Sequence, residues 1–176
     1  MSAVIFSHGK ESGPWGRKIT VLAQIAEAAG FDVYSVDYRG LPTVGERVSR
    51  LLQQCLSVAR VAVLVGSSMG GYVAATAARE VRPAGLFLMA PALGLAGYAP
   101  DPEPPACRIT VIHAWQDDII PAAHSLRFAR QWGAELHLVN DDHRLESNLP
   151  LISLIFRNFL ESIRAGGGFN IAPPPP

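Results

Sequence analysis

Residues 66–70 of this chain read Gly-Ser-Ser-Met-Gly, and their types and spacing suit one kind of chemistry. Ser68 stands two positions from a glycine on either side, a G-x-S-x-G pattern. Ser67 does not fit, because Val65 and Met69 occupy the places that would need glycine. The pentapeptide follows the apolar run 61–65 and precedes the helix-like Gly71-Tyr-Val-Ala-Ala-Thr-Ala-Ala78, which makes a strand, a sharp turn and a helix. Such a turn lifts a serine hydroxyl above the sheet and is tolerable only when its flanking residues are tiny. The helix N-terminus behind it supplies free N–H groups and a positive dipole end. A hydroxyl placed this way is suited to attack on a carbonyl.

A serine hydroxyl is a poor nucleophile without a base, and the base needs an acid to orient it. The run Ile109-Thr-Val-Ile-His113 leads into Ala114-Trp115-Gln116-Asp117-Asp118-Ile119-Ile120-Pro121, which puts carboxylates just beyond a strand. The run 135–139 leads into Asn140-Asp141-Asp142-His143-Arg144, a polar loop whose histidine lies on the same rim. Open α/β sheets place their ligands outside the carboxyl ends of the strands. In chain order, Ser68, Asp117 and His143 are nucleophile, orienting acid and general base, with Asp118 as the competing acid. His113 ends a strand and His8 sits in the first loop, and both are read as structural hydrogen-bonding groups. His8, Trp115 and Leu93 are also candidates to line a substrate pocket, and Asp37 is expected to bind loop amides.

The elements that must position these residues alternate along the chain. Strands are expected at 3–7, 32–37, 61–66, 85–90, 108–113 and 135–139, the middle ones almost continuously apolar, as strands buried on both faces are. Ile19, Leu22, Ile25, Ala26 and Ala29 recur at helical spacing before Gly30. Thr43-x-x-Glu46 is a capping box ahead of Val44, Val48, Leu51, Leu52 and Cys55. A third helix runs from just after Ser68 to about Glu80. A fourth follows Pro121 through Leu126, Ala129 and Trp132, and the last carries Leu151, Leu154, Ile155 and Phe159. Six strands and five helices in alternation predict a three-layer α/β/α sandwich on a mainly parallel sheet, one domain over 1–164. The stretch 91–106 holds five prolines and no helical period, so no cap domain is expected there. The Gly/Pro-rich segment 165–176 is expected to be an appendage, with docking through Phe169 and Ile171 as the sharper alternative.

Composition narrows the partners. The 176 residues carry 15 Lys+Arg against 15 Asp+Glu, with 17% charged and 49% apolar. This balance gives no field for phosphate backbones or anionic lipid, so nucleic acid and membrane are not expected partners. Two uncharged runs, 61–78 and 83–100, are broken by glycine and proline and do not read as membrane spans. No basic, apolar and cleavable leader is legible, so the cytoplasm is the expected compartment. Cys55 and Cys107 lack the spacing of a metal motif and are expected to be reduced; no metal or cofactor is called for.

The chain resembles the α/β-hydrolase superfamily, and in particular its small lidless bacterial esterases. The resemblance rests on Phe6-Ser7-His8-Gly9, Val36-Asp37-Tyr38-Arg39-Gly40, the elbow with its glycines Gly66 and Gly70, Asp117-x-x-x-Pro121 and Asp142-His143. It implies that Asp117, counted back from Pro121, is the acid, and that the backbone N–H groups of Lys10 and Met69 form an oxyanion hole. It also implies a serine hydrolase of small carboxylic esters or thioesters acting through an acyl-enzyme on Ser68. A binding or scaffold protein on the same fold stands as the alternative from another class, and acyl transfer or peptide hydrolysis as alternatives within enzymes.

Overall fold

In a computed structural model that describes residues 2–98 and 100–166, the short apolar runs form strands β1 (Ala3–Ser7), β2 (Asp32–Val36), β3 (Val61–Ser67), β4 (Gly85–Met89), β5 (Arg108–Ala114) and β6 (Glu135–Val139). Helices α1 (Arg17–Ala28), α2 (Val44–Leu56), α3 (Met69–Val81), α4 (Ala122–Trp132) and α5 (Leu149–Arg164) lie between or after them. Every strand pairing is parallel, in the order β2-β1-β3-β4-β5-β6. The chain runs from β1 out to β2, crosses back to β3, and then proceeds steadily to β6. The direction of travel therefore reverses between β1 and β3, the place where open α/β sheets form a crevice.

Alternation along the strands divides the core into two layers. Val4, Phe6, Val63, Val65, Phe87 and Met89 pack with Leu22 of α1 and Ile152, Phe156 and Phe159 of α5. Ala3, Ile5, Leu64, Leu86 and Leu88 face the other way, against Leu51 of α2, Val73 and Ala77 of α3 and Phe128 of α4. The three-layer sandwich expected from the sequence is thus the architecture of the chain. The Thr43–Glu46 capping box is also present, with the Glu46 N–H donating to Thr43 Oγ1 and the Thr43 N–H donating to Glu46 Oε2.

Strand ends differ from expectation by one residue for local reasons. β2 stops at Val36 because Asp37 turns its carboxylate onto the Arg39 N–H, and β4 stops at Met89 because Ala90 takes φ +42°. On α5, Phe159 and Ile155 face the core as expected, but the other two positions named from sequence do not. Leu151 and Leu154 are 43% and 55% exposed, whereas Leu149, Ile152, Phe156, Phe159 and Leu160 are buried. On α4, Leu126 is likewise turned outward, and Ser125, Phe128 and Ala129 face in.

The connection from β4 to β5 carries no helix or strand among its described residues and no cap. It is laid on the domain by the Tyr72 hydroxyl, which donates to Pro100 O at 2.6 Å, and by Asp101, which accepts from Arg127 of α4 at 3.2 Å and, within the loop, from the Gly94 N–H at 2.7 Å. Cys55 and Cys107 are free thiols, each pushed up to about 11 by burial and so unreactive near neutrality. Among the described residues no helix is long and apolar enough to cross a membrane. The tail expectation, with Phe169 and Ile171, falls outside the described residues.

The corrected phase of α5 has a direct check. Phe156 touches Phe87 with ring centroids 4.9 Å apart at 66°. Phe156→Ala is expected to cost about 3–5 kcal/mol in urea unfolding, and Leu154→Ala to stay within about 0.5 kcal/mol of wild type. The reverse order would restore the face read from sequence.

Candidate active site

The turn after β3 is built from close contacts. A Cβ on Gly66 would lie 2.5 Å from Gly70 O and Gly71 Cα, and one on Gly70 would fall within the backbone of Ser7 and His8. No side chain fits at either position, so the first turn of α3 sits directly on β1 and β3. Ser68, between them, takes φ +54°, a conformation that disfavours any side chain. Its backbone is fully engaged. The Ser68 N–H donates to Met89 O at 2.9 Å, and Ser68 O accepts from the N–H groups of Gly71 and Ala92 at 2.9 and 3.0 Å. Pro91 packs on Gly71, so the exit loop of β4 backs the turn.

The loops beyond β5 and β6 meet over this serine. The Ser68 hydroxyl lies 3.0 Å from His143 Nε2, and His143 Nδ1 lies 2.8 Å from Asp117 Oδ2. Nδ1 faces a carboxylate and therefore carries the proton, which leaves Nε2 as the acceptor for the hydroxyl. The Asp117 side chain is fully buried, and its Oδ1 accepts from the N–H groups of Ile119 and Ile120 at 3.0 and 2.8 Å. Asp118, by contrast, is exposed. The structure thus brings Ser68, His143 and Asp117 into one hydrogen-bonded chain and leaves Asp118 outside it.

The His143 loop is held from several sides. The buried Asp141 carboxylate accepts from the Asn148 N–H at 3.0 Å, Asn148 Nδ2 at 3.1 Å and the Asp142 N–H at 2.9 Å. Lys18 Nζ, from α1, donates to Arg144 O at 2.6 Å. None of Asp141, Asn148 or Lys18 was marked by sequence reasoning; only the cluster of Asx residues around His143 hinted at a built loop.

Two more histidines are buried and neutral. His113 Nε2 faces Ile120 O at 2.8 Å and Asp117 Oδ2 at 3.1 Å, so it carries the proton, and Nδ1 accepts from the Ser125 hydroxyl at 2.7 Å. His8 Nε2 accepts from the Tyr38 N–H at 3.0 Å, so Nδ1 donates to Gly9 O at 2.7 Å. Burial lowers both from the ordinary histidine value.

His8 and Leu93 are 1% and 0% exposed, which corrects their reading as pocket-lining candidates: a side chain closed off by packing meets no ligand from solvent. Trp115 is 64% exposed on the β5 exit. Asp37 binds the Arg39 N–H and guanidinium, and that guanidinium holds its carboxyl down to about 2.

Backbone donors complete the surroundings. Gly9 lies against the serine, a Cβ there falling 3.5 Å from Ser68 Cβ. Among the described residues neither the Lys10 nor the Met69 N–H has an acceptor. The Lys10 side chain is exposed. No cluster of metal-ligating side chains occurs among the described residues.

The neutral histidines set a pH dependence. Their folded values lie below the unfolded value of 6.5, so the unfolded chain binds more protons as the solution is acidified. Their contribution is complete above about pH 6.5 and is lost as pH falls through the folded values, by at most about 1.4 kcal/mol per pH unit for each histidine. Urea unfolding between pH 7.5 and 5 is expected to show this fall, with a shallower slope in His113→Gln. An unchanged slope would show that His113 is not held neutral.

A model of the alpha/beta hydrolase family matches residues 4–165. Among solved structures, a protein assigned to the alpha/beta hydrolase superfamily from Xanthomonas campestris pv. campestris is 36% identical, with 92% of this chain and 99% of that one covered and a TM-score of 0.85. An α/β serine hydrolase without a lid from Xanthomonas campestris is 20% identical, over 91% of this chain and 81% of that one, with a TM-score of 0.78. Est1E from Butyrivibrio proteoclasticus, with ferulic acid bound, is 16% identical, over 94% and 90%, also at 0.78. These last two carry the likeness of fold alone. No curated protein gives a match. With nearly its whole length matched by the family model, and a 36% identical structure sharing its fold, the chain belongs to the alpha/beta hydrolase family.

Proposed function

We propose that the chain is a serine hydrolase that cleaves small carboxylic esters or thioesters through an acyl-enzyme on Ser68. One observation carries the reading: His143 hydrogen-bonds Ser68 Oγ through one ring nitrogen and the buried Asp117 through the other, at 3.0 and 2.8 Å. A buried carboxylate that orients an imidazole toward a hydroxyl on a strained turn is the arrangement nucleophilic acyl transfer needs.

The steps follow from these atoms. Ser68 Oγ bonds the carbonyl carbon as its proton passes to His143 Nε2, and the carbonyl oxygen takes the negative charge. The Met69 and Lys10 N–H groups, free of other acceptors among the described residues, receive that oxygen. Each such donor is worth about 3 kcal/mol in the transition state. Asp117 stabilises the imidazolium without taking its proton. Collapse expels the alcohol or thiol, protonated by His143. Water then attacks the acyl carbon, giving its proton to the same nitrogen, and the acid leaves as Ser68 regains its hydrogen.

A fluorophosphonate probe and short p-nitrophenyl esters test the proposal together. Wild type is expected to label and turn over, and Ser68→Ala to do neither. Asp117→Asn should cost about 10,000-fold in kcat because it stabilises the wrong imidazole tautomer, whereas Asp118→Asn should change little. A folded wild type that neither labels nor turns over would leave a binding protein on a hydrolase fold.

A further inference from the structure

Arg47 is a buried charge that the reaction above does not use. It lies on α2 in line with Val44, Val48 and Leu51, the stripe turned toward the sheet, and is only 4% exposed. Among the described residues its hydrogen-bond acceptors are carbonyl oxygens and not carboxylates. Its guanidinium donates from Nε to Leu41 O at 2.8 Å and from an Nη to Gly9 O at 3.2 Å, and it stands 5.3 Å from the centroid of the Tyr38 ring. Burying a guanidinium without a counter-ion is costly, and a nonpolar residue would fill the same space more cheaply.

The atom it binds lies one peptide bond from the oxyanion donor. Gly9 C=O and Lys10 N–H belong to the same trans peptide unit, in which the two groups point in opposite directions. Gly9 O accepts from Arg47 at 3.2 Å and from His8 Nδ1 at 2.7 Å, so one edge of this peptide is anchored by two donors. Anchoring that edge fixes the direction of the Lys10 N–H on the other. The same peptide sits beside the serine, with Gly9 against Ser68 Cβ, and the Lys10 N–H has no acceptor among the described residues. Hydrogen bonds to a carbonyl also polarise its peptide and make the N–H a stronger donor.

We propose that Arg47 is a positioning residue for acyl transfer: from α2 it clamps the Gly9 carbonyl so that the Lys10 N–H is aimed at the oxyanion, and its buried positive charge favours the negative charge that develops there. The inference rests on the serine-hydrolase reading given above. The clamp is already in place before substrate binds, but the charge it favours is not. It acts on the charge that appears only when Ser68 has attacked, so its loss falls on kcat rather than on KM.

Steady-state kinetics on a p-nitrophenyl ester and on the matching thionoester test the proposal, with thermal melting as a control for folding. Sulfur accepts hydrogen bonds poorly, so an aimed N–H discriminates between the two substrates. Arg47→Met keeps an unbranched, flexible stem of somewhat shorter reach and removes donors and charge. It is expected to lower kcat for the ester by about 10- to 100-fold, less than the loss of a whole oxyanion donor, with KM within about threefold and a narrowed preference for ester over thionoester. Arg47→Lys, which keeps the charge and one donor, is expected to recover part of both effects. A lowered melting temperature with wild-type kcat and an unchanged ester-to-thionoester ratio in the folded variants would reduce Arg47 to a structural role and overturn the proposal. If Arg47→Met does not fold, the ratio measured on Arg47→Lys decides: an unchanged ratio and kcat overturn it. Failure of the wild type to label at Ser68 or to turn over either substrate would instead overturn the hydrolase reading, and the role of Arg47 with it.

Discussion

Helix α3 approaches the sheet so closely at its first turn that no side chain can stand between them. The backbone atoms of Gly70 lie on Ser7 and His8, and those of Gly66 on Gly70 and Gly71. This contact forces the bend at Ser68 and sets its φ at +54°. Strain of this kind costs on the order of 1–3 kcal/mol and persists only where the surroundings over-determine it. Here they do, because the Ser68 N–H and C=O are tied to Met89 and Ala92, and the chain just beyond β4 is itself bent at Ala90. The same contact carries the β1 exit to the serine, so a single steric requirement brings the hydroxyl and the loop after β1 together.

A parallel sheet does the rest. Its strands all point one way, so the loops after β1, β3, β5 and β6 emerge on one rim, and residues far apart in sequence become neighbours without any long excursion of the chain. The price is that polar groups must be accommodated at the edge of a dry core. Asp117 meets this with donors on both oxygens: two N–H groups on Oδ1, and His143 and His113 on Oδ2. His113 and His8 meet it by staying neutral and satisfying both ring nitrogens within the fold. These are arrangements in which a half-satisfied network would be worse than an apolar one.

Much of this was legible in the sequence for physical reasons. Strands buried on both faces must be apolar throughout, so 61–65 and 85–89 declared themselves, and the helix at 44 announced its start through a capping box whose two hydrogen bonds are local. The turn at Ser68 was readable because only glycine survives the contacts on either side of it. The face of α5 was legible only in part, at Ile155 and Phe159. Leu149, Leu151, Ile152, Leu154, Ile155, Phe156, Phe159 and Leu160 offer overlapping apolar stripes, and periodicity cannot choose between them. Packing against α1 and the sheet chose the stripe carrying the phenylalanines, which fill the space beside Phe87. His8 and Leu93 were misread as pocket candidates because a position near a rim loop does not reveal which way a side chain turns.

By itself, then, the sequence determined the order of elements, the parallel sheet and the identity of the turn that holds Ser68, since each depends on local sterics or on the polarity of a short run. It also named the acid and the histidine as candidates, through their places after strands. What only the tertiary structure decided is that Asp117, the acid the resemblance implied, is buried against His143 while Asp118 turns to solvent, and that Arg47, an ordinary charge in the stripe of a helix, closes on the Gly9 carbonyl. Both outcomes depend on the direction of a side chain across elements separated by tens of residues. No local propensity encodes that direction; it is set when the layers pack and each buried donor must find its acceptor.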